Sequence, residues 1–420
     1  MTLHVTRLAE HLAFLGFLAL FPGFVIYHLL VMGFDLPPAL AGFFGPTSAL
    51  LLVAYAPLVP KLLRSSNRSA QLLFLAVLCL LAFLMAWSIV HRALLPSPTI
   101  TEAFAQSWRA ILLMAALFLV GLYLPLDSTL FQRFMGVLLG VGGVLVVWYY
   151  VRTGAPMFYA RDFFGAEFGA SYQGFARSAL VVSILALLSQ RSFAPRAIVV
   201  VFSLIVVWFL GARSELVGLA VATLLYFGVI GLRSRSVQIS GAVLVPVIAL
   251  LAAFNLEVME GSRHMQLLTL ADASSWQARL AMNEVAVMQI RDSPVLGAFG
   301  GHISSFGSSG AYAHNALSAW VSYGLGGFFG YMTITLFATG HSLRRVMWKG
   351  DSALPWVSAA VFGMVVLVLV ITTKSVFWPL PAFAWGLYGN ALLSKTGREE
   401  APETSPAAAF PTPVGAATQP

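Results

Sequence analysis

The chain has 420 residues, of which 59% are hydrophobic and only 10% charged, with a formal net charge of +8. Its mean hydropathy is +0.86, and no water-soluble domain has a core large enough to hide that much apolar surface, so the composition excludes a soluble protein and implies an integral membrane protein. The lone cysteine, Cys79, rules out an intrachain disulfide, and without a Cys/His cluster no metal site and no cofactor are expected.

About twelve apolar runs follow one another along the chain, each long enough to cross about 30 Å of hydrocarbon as a helix. They lie near 8–31, 39–60, 69–90, 108–126, 130–151, 175–190, 195–212, 214–231, 237–254, 314–339, 353–373 and 376–394. The predicted fold is therefore all-α, a polytopic transmembrane helical bundle, because helices satisfy their own backbone hydrogen bonds and the runs are too long for barrel strands. The first run is long, has few preceding charges and lacks a small-x-small cleavage site, so a retained helix is expected rather than a removed signal peptide. Cys79 falls inside the third run and reads as a small core residue. Residues 91–107, with Pro96 and Pro98, read as an external connection ending in a short surface turn. Residues 152–174 carry several aromatics, as an interfacial belt would. One membrane domain over 1–395 is expected, followed by a disordered cytoplasmic tail over 396–420, whose Gly/Pro/Ala/Thr/Glu composition cannot form a core.

Charge sets the expected orientation. With the amino terminus inside, the cytoplasmic connections carry Lys61/Arg64/Arg68, Arg133, Arg191/Arg196, Arg233/Arg235 and Arg344/Arg345/Lys349, and the carboxy terminus carries Lys395/Arg398. The opposite side holds Arg92, Arg109, Arg152, Arg161, Arg177, Arg213, Arg263, Arg279, Arg291 and Lys374, all but the last of them arginine. Guanidinium is the side chain suited to forked recognition of phosphate or carboxylate. The competing reading is that several of these, Arg109 and Arg177 especially, snorkel at helix ends.

Between the ninth and tenth runs lies a large extracytoplasmic loop, residues 255–313, the one long polar interruption in the chain. It carries Arg263, Arg279 and Arg291, a Pro294-x-x-Gly297 turn and a glycine-rich bend from Gly300 to Gly310, and it ends at His314-Asn315. An amphipathic helix is expected near 275–291, with Trp276, Leu280, Val287 and Ile290 recurring at heptad-like spacing around Asn283, started by Ser274 or Ser275 and stopped by Asp292-Ser293-Pro294. Arg279 would project from its first turn, and the helix would lie against the membrane surface as a roof over a cavity.

Three positions can carry chemistry. Arg213, in Gly211-Ala212-Arg213-Ser214-Glu215, sits in a link too short to leave the bundle, where it can face inward or form an ion pair with Glu215. His314 has the side chain whose unperturbed pKa lies nearest neutrality, suited to take a proton from an attacking hydroxyl, although a histidine opening an apolar helix is also a common interface residue. Asn315 beside it supplies a donor and an acceptor, and Gly324, Gly326 and Gly327 permit close helix approach. Arg279 completes the set. Two phosphate-binding cations and one base on one side of the membrane suit transfer from a diphosphate-activated donor, since a diphosphate neutralised by arginines leaves without a metal or a separate acid.

Arg213-Ser214 opening a span, Arg279 in a large loop, Pro294-Val-Leu-Gly297, and His314-Asn315-Ala-Leu317 heading a glycine-bearing span resemble the O-antigen ligase and O-antigen polymerase superfamily over roughly residues 200–330. The amino-terminal half agrees only in hydrophobicity and number of runs. The resemblance implies an inverting, metal-independent glycosyltransferase of surface polysaccharide biosynthesis in the bacterial inner membrane. It would take a glycan from undecaprenyl diphosphate, with Arg213 and Arg279 on the diphosphate and His314 at the acceptor hydroxyl. The acceptor would be lipid A-core or another lipid-linked glycan. Membrane lipids and the polysaccharide assembly machinery are the other partners it implies, and nucleic acid is not among them. A lipid-linked sugar flippase or secondary transporter is the alternative from another class, disfavoured by the scarcity of ionisable residues in the span centres. A protein O-oligosaccharyltransferase is a further alternative.

Overall fold

The computed structural model describes residues 3–33, 43–62, 67–154, 158, 172–190, 192–230, 239 and 274–399. About 84% is helical, with no strand among the described residues. In chain order, α1 (Leu3–Leu18) runs through a π turn holding Pro22 into α2 (Phe24–Gly33). Then come α3 (Phe44–Tyr55), α4 (Val59–Leu62), α5 (Arg68–Leu94), α6 (Pro98–Tyr123) and α7 (Thr129–Thr153). They are followed by α8 (Tyr172–Leu188), α9 (Phe193–Phe209) and α10 (Arg213–Leu225). The last group is α11 (Ser274–Asp292), α12 (Gly301–Phe306), α13 (Leu317–Met347), α14 (Leu354–Thr372) and α15 (Leu380–Glu399).

Among the described residues, six segments are long and apolar enough to cross a membrane: Thr6–Val31, Arg68–Leu94, Pro98–Tyr123, Thr129–Thr153, Leu317–Met347 and Leu354–Thr372. Shorter apolar helices cover Phe44–Leu58, Gln173–Leu188 and Ala194–Phe209. The protein is a helical membrane protein. The run expected near 237–254, loop residues 255–273, most of 155–171 and the tail from 400 lie outside the described residues.

α6 and α15 form the packing axis, with α1, α3 and α5 also against α6 and α14 against α15. Their backbones meet at glycines. A Cβ on Gly121 would lie 2.5 Å from the Phe383 carbonyl oxygen, and one on Gly386 would strike the Phe118 carbonyl. Such small-residue contacts are how helices associate where lipid removes the hydrophobic drive between them. Polar ties close the ends: Asn67 caps α5 by accepting from Ala70 N–H and donates to the Leu392 carbonyl at 2.7 Å, while Asn390 donates to the Leu124 carbonyl at 2.8 Å. On the outside, Leu72, Leu75 and Leu78 of α5 and Val137, Val141 and Val144 of α7 are exposed, as side chains facing acyl chains should be.

Several expectations need correction. Residues 98–107 are not an external loop: Pro98 occupies the first turn of α6, Ser97 caps it by accepting from Ile100 N–H at 3.1 Å, and the connection is only Leu95–Ser97. Proline opens a helix there because the missing N–H has no intrahelical partner in the first turn. Cys79 is not a core residue but lies on the outer face of α5. Helix α15 continues to Glu399, past the expected start of the tail at 396.

Candidate functional site

The link between α9 and α10 is a tight reversal. Gly211 sits at φ 67°, a left-handed conformation that glycine adopts without strain, and its N–H donates to the Trp208 carbonyl at 2.9 Å. That geometry places Arg213 at the first position of α10, half-buried at the end of the bundle. Glu215, one residue beyond Ser214, is fully buried. Its carboxylate takes an ion pair from Lys374 Nζ at 2.6 Å and a hydrogen bond from Ser214 Oγ at 2.7 Å. The carboxylate that the sequence offers to Arg213 is thus engaged by a lysine from the turn between α14 and α15.

That turn is fastened to the His314 segment. Val376 N–H donates to Ser318 Oγ at 2.8 Å, and Ser318 Oγ donates to the Asn315 carbonyl at 2.7 Å. Asn315 works on both sides: its Oδ1 accepts from Leu317 N–H at 3.0 Å, and its Nδ2 donates to Asn283 Oδ1 of α11 at 2.8 Å. An Asn at a helix entry suits this because its side chain stands in for the missing turn. Ala286, Ala313 and Val321 form a small apolar core beneath, with Ile290 and Leu317 against it.

α11 covers one end of the bundle with its polar stripe inward. Trp276, Arg279 and Asn283 are half-buried and Ala286 is buried, whereas Leu280 (40% exposed), Val287 (36%) and Met288 (52%) face out. This outward apolar stripe can meet lipid or headgroups, so the polar stripe can turn toward the cavity.

The Pro294-x-x-Gly297 turn is a seat for α13. Helix α13 breaks at Gly324 (φ 65°, ψ −170°), and the loop lies in the break. The Ala298 N–H donates to the Val321 carbonyl at 2.7 Å, the Leu325 N–H to the Val295 carbonyl at 3.0 Å, and Trp320 Nε1 to the Pro294 carbonyl at 2.7 Å. A Cβ on Gly297 would lie 2.5 Å from the Trp320 and Val321 carbonyl oxygens, and one on Gly324 would strike the Val295 carbonyl. Both glycines are at positive φ as well, so neither position tolerates a side chain. Gly324 was expected to admit another helix; it admits this loop instead. The glycine-rich bend is likewise no plain bend, since α12 occupies Gly301–Phe306.

These elements enclose a cavity of about 520 Å³. Arg213, Arg279 and His314, far apart in sequence, all line it, with Glu215. So do two further cations, Arg177 and Lys374. Arg177 does not snorkel: it is 9% exposed, its guanidinium carbon lies 4.7 Å from the centre of the Phe44 ring, and its Nε has no hydrogen-bond partner. The described lining thus gathers four basic side chains around one carboxylate that is already committed. A cavity of that charge is built for an anion. No protein-family model matches the chain, and no curated protein matches it.

His314 closes the wall beside Tyr312, their ring centres 5.1 Å apart. Burial first, then the charges of Arg279 and Lys374, push its imidazole down to about 4, so it is neutral and proton-accepting at pH 7. Tyr312 is pushed up by burial, against a hydrogen bond with Ser375 that lowers it. Behind it stands His302, also held near 4 by burial, whose Nε2 lies 3.2 Å from Gln106 Oε1. A second cavity of about 430 Å³ borders α2 and α8, lined by Val25, Ile26, Phe175, Ala179 and Val182 with apolar residues of α7 and α9. Gly174 and Arg177 of α8 and Phe24 of α2 line the cationic cavity on the same helices. A Cβ on Gly174 would collide with the Phe24 ring, which therefore packs directly on the α8 backbone between the two spaces.

Proposed function

We propose that this protein is a glycan transferase of surface polysaccharide biosynthesis, moving a saccharide from a polyprenyl diphosphate to a hydroxyl of lipid A-core or of another lipid-linked glycan. The observation that carries the reading is a single cavity holding Arg177, Arg213, Arg279 and Lys374 with a neutral His314. The apolar cavity next to it supports a donor with a lipid tail.

In this reading, the acceptor hydroxyl gives its proton to His314 as its oxygen attacks the anomeric carbon from the face opposite the diphosphate. The bond from that carbon to the diphosphate oxygen breaks, and the leaving diphosphate keeps the electron pair, stabilised by Arg213, Arg279 and the two further cations. The configuration inverts. His314 is a poor base while burial, and after it the charges of Arg279 and Lys374, hold it near 4. A bound diphosphate offsets those two cations and raises the imidazole's proton affinity, while burial, the larger cause, still holds it below its ordinary value.

The setting proposed is the bacterial inner membrane, with about twelve spans, both termini cytoplasmic, and loop 255–313 and the cavity on the periplasmic side. The orientation rests on the basic connections carrying Arg133, Arg196 and Arg344/Arg345, which fall at the ends of helices opposite the cavity end.

A deletion strain complemented with variants tests the function. His314→Ala, Arg213→Ala and Arg279→Ala should each abolish the polysaccharide at unchanged protein abundance, and normal polysaccharide from His314→Ala would remove the assigned role. Gel analysis of the deletion strain separates the two products: a bare core with accumulated lipid-linked polymer marks a ligase, and a core carrying one repeat marks a polymerase.

A further inference from the structure

Most of the tryptophans are already engaged. Trp87 meets Phe83 and His91, Trp320 meets Phe328, Trp356 meets Arg345 and His341, and Trp385 meets Tyr331. Within the cationic cavity, the Trp378 ring lies under Lys374 Nζ at 5.5 Å. Trp276 also lines that cavity, half-buried, and among the described residues no ring, cation or hydrogen bond engages its indole. It stands three residues before Arg279 on one face of α11, so the two side chains project to the same side.

An indole face is electron-rich and attracts either a cation or polarised C–H groups. A second cation is disfavoured beside Arg279 and Lys374, which leaves a neutral C–H surface. Two neutral groups flank the diphosphate of a polyprenyl-linked donor, the lipid and the first sugar. The apolar cavity on α2, α7, α8 and α9 offers the lipid its place on the other wall, whereas α11 packs on α12 and α13 and borders His314. The group meeting Trp276 is then the one whose anomeric carbon must lie near the base.

We infer that Trp276 is a saccharide platform, stacking on the C–H face of the pyranose ring attached directly to the diphosphate, while Arg279 one turn on holds the phosphate. The inference rests on the function proposed above and adds the subsite for the transferred sugar.

The test compares two farnesyl diphosphate diesters of equal charge, one bearing N-acetylglucosamine and one bearing methyl, for binding to the purified full-length protein in nanodiscs. The wild type should bind the sugar diester about five- to tenfold more tightly than the methyl diester, the range expected of one aromatic stacking contact. Trp276→Leu should erase that ratio while leaving the methyl diester unchanged, and Trp276→Phe should keep most of it. Equal affinity of the wild type for both diesters overturns the platform without recourse to any variant. So does a Trp276→Leu protein that weakens both equally, or that keeps the ratio. Failure of the underlying reading looks different: Arg213→Ala would then leave binding of the methyl diester unaltered.

Discussion

The α6–α15 axis and the α10–α11–α13 cavity use the same device for opposite ends. At Gly121 and Gly386 the missing side chains let two helices touch, and the surroundings are apolar with nothing to bind. At Gly297 and Gly324 the missing side chains let a loop enter a broken helix, and the result is a fixed distance between α11 and the His314 segment. Close packing in the first region is the goal; in the second it holds like charges together that would otherwise separate. Four cations sharing a cavity repel one another, and the Glu215–Lys374 pair, the Asn283–Asn315 bond and the loop seat are the structural ties that keep that wall closed.

The largest effect that can break this contrast is chemical. His314→Ala should reduce transfer about 10²–10⁴-fold, the range for losing a general base, with folding unaffected as judged by melting temperature. Next comes the buried pair. Lys374→Met leaves the fully buried Glu215 carboxylate without its cation and should cost about 3–5 kcal/mol, read as a lower melting temperature in detergent. On the axis, Gly386→Ala forces a methyl group onto the Phe118 carbonyl and should cost about 1–3 kcal/mol, while leaving the pH profile of any remaining activity unchanged.

The pH dependence sharpens the comparison further. Because His314 is held near 4 in the free protein, protonation should curb kcat/KM only as pH falls through about 4. If a bound diphosphate offsets Arg279 and Lys374, kcat should fall at a higher pH than kcat/KM, though still below the ordinary histidine range because burial persists, so the two acidic limbs separate along the pH axis. Coincident limbs would mean that the donor does not neutralise those cations. The sign for stability is the same: a histidine depressed in the fold contributes stability above about 6.5 that is lost as pH drops toward about 4. The smallest effect belongs to the outer surface, where Cys79→Ser should change stability by no more than about 0.5 kcal/mol.

Hydropathy alone made the long helices legible, because α5, α7, α13 and α14 are each an unbroken apolar run. Arg213 and His314 were legible for a related reason, since a charged or titratable group at the edge of such a run is costly enough to need a purpose, and Arg279 was legible as a cation on the amphipathic helix of the long polar loop. Contacts across the fold were not. Glu215 and Lys374 are separated by 159 positions, and the sequence offers Arg213 as the nearer partner. Arg177 looked like an interfacial cation because a single charge near a run end reads the same whether it turns out to headgroups or in to a cavity. Gly174 and Gly297 carried the available signal, each marking a place where ring or backbone comes too close for a side chain.

The most direct measurement of the central claim is single-turnover release of polyprenyl diphosphate from a labelled polyprenyl-diphosphate-linked glycan, with acceptor present, by the purified protein in nanodiscs. The wild type should release polyprenyl diphosphate as the glycan appears on the acceptor; His314→Ala should bind the donor with unchanged affinity and release almost none, and Arg213→Ala should bind it poorly. Release by His314→Ala at the wild-type rate, or undiminished donor binding by Arg213→Ala, would contradict a cationic diphosphate site with His314 as its base.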